Sequence, residues 1–194
     1  MSVAEIGIKN EVGSEVEVRQ QIIDAALAIA LRGREIPTPE NIAERTGLAV
    51  KRVTAIYPGL DELADDIKAV SAARYAALEA AMPAVADLGA MLDELVQLRA
   101  AYYETVGELR VLADAGEGFL PSLMKDKAVR EGKYRGRLSE CFEVPLGRQV
   151  SRVLPKIELL TSWESWRHLR SVQCLTKEQS VQMVRTMLRD VIGS

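Results

Sequence analysis

The sequence predicts an all-α protein of about nine helices, and three observations carry that reading. Apolar residues recur every three to four positions along most of the chain. Ala, Leu, Val, Glu and Arg recur while aromatic residues make up only 5% of the composition, which favours helices with aliphatic cores. No stretch alternates apolar and polar residues as a half-buried strand does. With 48% hydrophobic and 27% charged residues, the 194-residue chain has enough apolar material for one large core or two small ones. The expected division is an arm over residues 1–14, a three-helix unit over 15–60 and a larger helical bundle over 61–194.

Val18, Ile22, Ala25, Ala26 and Ile29 lie on one face of a first helix from about Glu15 to Leu31, which Gly33 ends. Thr38, Pro39 and Glu40 then supply a capping hydroxyl, a proline suited to the first helical position and an early acid, so a second helix starts there. It is short, because Gly47 follows Pro39 by only eight residues. A third helix places Leu48, Val53, Ile56 and Tyr57 on one side and leaves Lys51, Arg52, Thr54 and Ala55 facing outward, until Pro58 and Gly59 stop it.

The fourth helix reads Leu60, Leu63, Ile67, Val70, with Asp61 and Glu62 in its first turn, and runs to about Met82 ahead of Pro83. Helices follow over Leu88 to about Val106 and Pro121 to about Phe142, with a loop from Gly116 and breaks near Pro145 and Gly147. One helix is expected from Val153 to about Val172, carrying Leu159, Trp163 and Trp166. Thr176 and Gln179 form a capping box that opens the last, which carries Val181, Val184, Leu188 and Val191 as far as Ile192.

Composition narrows the function. A net charge of -3 excludes a chain that grips nucleic acid by bulk positive charge. Any such contact must be local, and between Arg19 and Leu60 the cations Arg19, Arg32, Arg34, Arg45, Lys51 and Arg52 outnumber the acids Asp24, Glu35, Glu40 and Glu44. Cys141 and Cys174 have no CxxC or Cys/His neighbours, so two reduced thiols are expected in place of a disulfide framework or a metal site. His168 is the sole histidine, which excludes a multi-histidine metal site, and no nucleophile and base pair, metal cluster or phosphate loop stands out in the sequence, so no enzyme activity and no cofactor are expected. Met1 to Val12 lack a basic start and a continuous apolar stretch, and no run approaches the roughly twenty apolar residues of a membrane span. A cytoplasmic protein with no membrane partner is expected.

A short helix, a tight turn at Gly47 and a second short helix presenting long cations together match the helix-turn-helix, whose second helix enters the major groove of DNA. Base edges there demand long donors or small polar groups, and a small residue such as Ala43 lets the two helices approach closely. The candidate DNA-contacting residues are Thr38, Lys51, Arg52, Thr54, Ala55 and Tyr57. Thr38 reads first as a helix cap whose hydroxyl also suits a phosphate, and Tyr57 reads first as a packed ring with its hydroxyl at the surface.

The segment Arg19 to Leu63, with Ile23, Ala25, Ala26, Gly33, Thr38, Ile42, Ala43, Gly47, Val53, Tyr57, Pro58 and Leu63, resembles the amino-terminal signature of the TetR family of transcriptional regulators. The stretch from Trp163 through Leu169 to Ile192 is similar, more loosely, to the last two helices of that family. The resemblance implies a homodimer whose recognition helices bind a near-palindromic double-stranded DNA operator. It also implies a carboxy-terminal domain that holds a small-molecule pocket and the dimer interface, with repression relieved by the effector. Three positions depart from the pattern: Ala49 replaces a capping Ser, Thr54 a Tyr that contacts phosphate, and Leu60 a Lys. These departures motivate a second reading, a TetR-like ligand-binding or protein-interaction module with weakened or lost DNA binding.

For an effector, the middle helices offer Tyr75, Met91, Leu95, Leu98, Tyr102, Phe119, Leu123, Met124 and Tyr134, which are equally readable as ordinary core. The low charge of Met91 to Leu98 suits a largely apolar molecule. For the dimer interface the candidates are Leu159, Trp163, Trp166, Val181, Val184 and Leu188, because aromatic anchors are enriched at interfaces. The two tryptophans also fit a core or a ligand-stacking role.

Overall fold

Helix starts and stops follow from local chemistry. In the computed structural model, Ser14 caps the first helix reciprocally: its Oγ accepts from the Glu17 amide at 3.3 Å and its own amide donates to Glu17 Oε2 at 2.8 Å. The structure describes the backbone of residues 14–33, 36–116 and 121–193, and the side chains of these except 30–33, 71, 74, 108, 112, 115–116 and 121–126. The arm expected over 1–14 therefore lies, apart from Ser14, outside the described residues.

The helices are α1 (Glu15–Gly33), α2 (Pro39–Thr46), α3 (Val50–Ile56), α4 (Leu60–Ala80), α5 (Leu88–Gly116), α6 (Pro121–Leu146), α7 (Val150–Leu160), α8 (Trp163–Arg167) and α9 (Lys177–Gly193). A 3-10 turn over Gly147–Gln149 precedes α7, and a π turn over His168–Val172 extends α8. The protein is all-α, with no strand among the described residues. Among those residues no helix is long and apolar enough to cross a membrane.

The chain forms two compact units. The first comprises the residues up to Val70 together with Glu108–Leu120, and the second comprises Ser71–Gly107 and Pro121–Ser194. The first unit thus runs past residue 60, where the sequence suggested its end, because Leu63 and Ile67 of α4 complete its core. That core is Val18, Ile22, Ile23, Ala25 and Ala26 of α1, Ile42 and Ala43 of α2, and Val53, Ile56 and Tyr57 of α3 and its cap. Leu109, near the end of α5, packs against it.

In the second unit α6 presents Tyr134, Leu138, Phe142 and Leu146 on one stripe, α7 adds Val153 and Ile157, and α9 adds Val181, Val184 and Leu188. Leu95, Leu138, Phe142, Ile157 and Leu188 are fully buried. Two ion pairs tie helices on the rim of this core: Arg135 clasps Glu158 at 2.8 Å, and Arg189 holds Asp93 at 2.8 Å.

Three helix boundaries differ from expectation. α5 extends from the expected Val106 to Gly116, and α6 continues past Phe142 through Pro145 to Leu146, where Gly147 at φ 50° ends it. Pro145 sits in the last turn and costs the helix one amide hydrogen bond without breaking it. The single helix expected over Val153 to Val172 is divided at Thr161 and Ser162. Thr161 Oγ1 donates to the Ile157 carbonyl at 2.6 Å, Ser162 Oγ caps α8 by accepting from the Ser165 amide at 3.2 Å, and Ser165 Oγ donates to the Leu159 carbonyl at 2.6 Å.

A candidate nucleic-acid interface and a buried arginine

Thr38 caps α2 as its sequence suggests: Oγ1 accepts from the Asn41 amide at 3.3 Å, while Asn41 Oδ1 accepts from the Thr38 amide at 2.7 Å. Pro39 takes the first helical position. Gly47 closes α2 in the left-handed conformation, φ 75° and ψ 7°, its amide donating to the Ala43 carbonyl at 2.9 Å. Gln21 Nε2 of α1 donates to the Thr46 carbonyl at 3.0 Å and so fixes the turn to the first helix.

Ala49 occupies the N-cap of α3 with extended backbone and no side-chain cap. The helix packs through Val53 and Ile56, which leaves Lys51, Arg52 and Ala55 exposed on its other side. Thr54 is half-buried and its hydroxyl donates to the Lys51 carbonyl at 3.2 Å. Lys51, Arg52 and Ala55 therefore share one solvent face with each other, and Thr38 is exposed at the start of α2.

Tyr57 is different. Its side chain is 4% exposed, and its hydroxyl donates to Asp66 Oδ2 at 2.6 Å in place of facing solvent. Arg19 donates to the same oxygen at 2.9 Å, with its guanidinium carbon 5.3 Å from the Tyr57 ring centroid. Burial, reinforced by the hydrogen bond to Asp66, pushes the Tyr57 hydroxyl up to about 12. The residue is a structural fastener between α1, α3 and α4, and its hydroxyl, expected at the surface, is bonded within the unit.

In the second unit the tryptophans are core residues. Trp163 and Trp166 are buried, with ring centroids 5.6 Å and 6.5 Å from that of Tyr103. Trp166 Nε1 donates to Glu104 Oε1 at 3.0 Å. Arg170 meets the same carboxylate at 2.9 Å, and its hydrogen bond holds Glu104 below the usual carboxylate range. Val181, Val184 and Leu188 are likewise buried within the chain. Of the residues expected at a dimer interface, only Leu159 is exposed, at 63%. An apolar stripe shows that a helix is covered without showing by what, and here much of the cover comes from the same chain.

The residues expected to line a pocket are partly brought together. Tyr102 and Tyr134 meet around Arg99, whose guanidinium carbon lies 5.0 Å and 4.0 Å from their ring centroids and 4.6 Å from that of Tyr103. Met91 and Leu95 are buried core, while Tyr75 and Leu98 are half-buried. Phe119 lies outside the described residues, as do the side chains of Leu123 and Met124.

Sequence reasoning missed Arg99 itself, which is 7% exposed. The signal was available: Leu92, Leu95, Val96, Arg99, Tyr103 and Val106 form one helical stripe, and Arg99 is its only charged member. Arg99 Nη2 donates to the Tyr103 hydroxyl, which donates in turn to the Thr161 carbonyl at 3.0 Å. Tyr134 and Thr161 join hydroxyls at 2.7 Å. Nε and Nη1 of Arg99 are buried with no hydrogen-bond partner among the described residues. Burial works against the guanidinium charge, but the facing tyrosines more than offset it, and Arg99 is held above its ordinary value. Comparison with protein-family models, with curated proteins and with solved structures finds no match to this chain.

Proposed function

We propose that the chain is a ligand-responsive, sequence-specific DNA-binding transcriptional regulator of the TetR type, acting as a repressor and as a homodimer on a palindromic operator. The observation that carries the reading is α3. A short helix packs through Val53 and Ile56 against α1 and α2, is preceded by the left-handed turn at Gly47, and exposes Lys51 and Arg52 side by side. That is the arrangement by which a recognition helix offers long donors to guanine N7 and O6 or to phosphate. Thr38 and the amino-terminal amides of α2 add a neutral phosphate contact.

Two copies belong to the reading because one recognition helix covers only a half-site. Leu159 is the member of the expected interface set that stays available to a second copy. The second unit is the effector-responsive part, and Tyr102 and Tyr134 are the residues from the expected pocket set that converge on one polar centre.

Specific observations favour a second reading, in which the fold serves ligand or protein binding and operator recognition is weak or lost. Ala49 gives α3 no side-chain cap, Thr54 turns its hydroxyl back on the helix, and Tyr57 is committed to Asp66. Selection from a random duplex library decides between them. The regulator reading expects a recovered palindromic motif whose binding is lost when Lys51 and Arg52 are both replaced by Ala; absence of enrichment at low salt would leave the second reading standing.

A further inference from the structure

We propose that Arg99 is the anchor of a binding site for an organic monocarboxylate with an apolar or aromatic body, built within the second unit from Tyr102, Tyr103, Tyr134 and Thr161. The inference rests on the reading of that unit as the effector-responsive part, and it names the chemistry of the effector.

The hydrogen-bond directions determine what is missing. Thr161 Oγ1 has a single proton, and it goes to the Ile157 carbonyl at 2.6 Å. The 2.7 Å contact between Tyr134 and Thr161 must then have Tyr134 as donor. Tyr103 gives its proton to the Thr161 carbonyl and accepts from Arg99 Nη2. The hydroxyl protons of Tyr103, Tyr134 and Thr161 are thus committed inside the cluster. What stays uncommitted is Nε and Nη1 of a buried cation, and both are donors. Their complement is an acceptor, and an anionic acceptor also meets the charge.

No carboxylate among the described residues makes an ion pair with Arg99, whereas the more exposed Arg135, Arg170 and Arg189 of the same unit each hold one. The three tyrosine rings attract the guanidinium through their faces, yet a ring face does not replace an in-plane hydrogen-bond acceptor. Two buried guanidinium donors left without acceptors are costly to keep for packing alone even where ring faces meet the charge, and unpaired buried groups of this kind mark candidate binding sites. One guanidinium matches one carboxylate better than a doubly charged phosphate. The surrounding rings, with Trp163 and Trp166 beyond Tyr103, suit a flat or aliphatic body.

The test uses the full chain without DNA. Tryptophan fluorescence and thermal shift are followed while benzoate, 1-naphthoate and octanoate are titrated, each against its uncharged primary amide, with inorganic phosphate as the anion control. The expected result is saturable binding of at least one carboxylate, about tenfold or more tighter than its amide, and loss of that preference in Arg99→Met. Arg99→Met is also expected to match or exceed the wild type in Tm, since it removes two buried donors that have no acceptor; a purely structural arginine would lower it. If Arg99→Met does not fold, the wild-type ratio of carboxylate to amide and the behaviour of Arg99→Lys decide. Equal binding of acid and amide, binding only of phosphate, no binding by any probe, or an undiminished preference in Arg99→Met overturns the proposal. Duplex binding is scored separately: carboxylate binding without any DNA binding defeats the regulator reading alone, and DNA binding with indifferent carboxylates defeats this site alone.

Discussion

The Tyr57 hydroxyl lies 2.6 Å from Asp66 Oδ2, and that bond joins the end of α3 to the middle of the α4 segment in the same unit. Arg19 of α1 shares the oxygen at 2.9 Å, so three helices meet at one carboxylate. The ring is packed as the sequence suggests, and the hydroxyl, expected at the surface, is part of what ties α3 to α1 and α4.

Replacing Tyr57 by Phe removes that bond while keeping the ring, and a hydrogen bond to a charged acceptor contributes about 1–2 kcal/mol where the acceptor, here Asp66, is itself partly exposed. Urea denaturation at pH 7 should show that loss. The pH dependence is more specific. The folded-state pKa of Tyr57 is raised to about 12 from an ordinary 10.0, so its contribution is whole below pH 10 and is lost as pH climbs toward 12. The gap between wild type and Tyr57→Phe should therefore close across that window. A gap that stays constant to pH 12 would show that the hydroxyl is not held as described.

Capping gives a paired prediction with opposite signs. Thr38→Ala deletes the oxygen that accepts from the Asn41 amide and should destabilise by about 0.5–2 kcal/mol. Ala49→Ser adds an oxygen at an N-cap that already has extended backbone, φ -68° and ψ 140°, and should stabilise by up to about 1 kcal/mol. Thermal melts of both variants suffice. Stabilisation by Ala49→Ser without a gain in duplex affinity would mean that α3 is already fully formed in the free protein.

Gly47 isolates conformation from space. A Cβ built there meets nothing within 4 Å, so a substitution has room, but φ 75° is a region where an L side chain costs about 1–2 kcal/mol. Gly47→Ala should lose close to that amount and Gly47→Asn less, because Asn tolerates the left-handed region. Equal stability of all three would show that the turn relaxes to another conformation.

The caps at Thr38 and Thr176 and the turn at Gly47 were legible because each is decided within four residues. Ser14 and Glu17 carried the same signature and could have been read the same way. The break at Thr161 was not legible, since Val153, Ile157 and Trp163 keep an apolar spacing through it and only side-chain hydrogen bonds divide the helix. The partner of Tyr57 lies nine residues away on another helix, and that of Trp163 is Tyr103, sixty residues away. Periodicity identifies a covered face, and the identity of the cover is a tertiary fact. Arg99 is the instructive miss, because a lone cation on an apolar stripe breaks the local pattern and so marks a place where packing alone does not explain the residue.

Lys51 and Arg52 stand side by side on α3, and on the regulator reading proposed above single substitutions would separate a base reader from a phosphate contact. A cation that neutralises one phosphate contributes about 0.9 to the slope of log K against log salt, with no preference among sequences. Its replacement by Ala weakens all duplexes alike and flattens the slope. A cation that spans guanine N7 and O6 contributes about 1–3 kcal/mol of discrimination at one base pair, so its loss relaxes the recovered motif there. Arg, with its planar fork, is the better base reader and Lys the better point charge. Arg52→Ala is therefore expected to blur one motif position, and Lys51→Ala to flatten the salt dependence with the motif unchanged. Binding isotherms at three salt concentrations on the selected duplex and on a duplex altered at that position measure both effects. The assignment fails if Lys51→Ala changes the motif and Arg52→Ala changes only the slope, because the two side chains would then have exchanged roles.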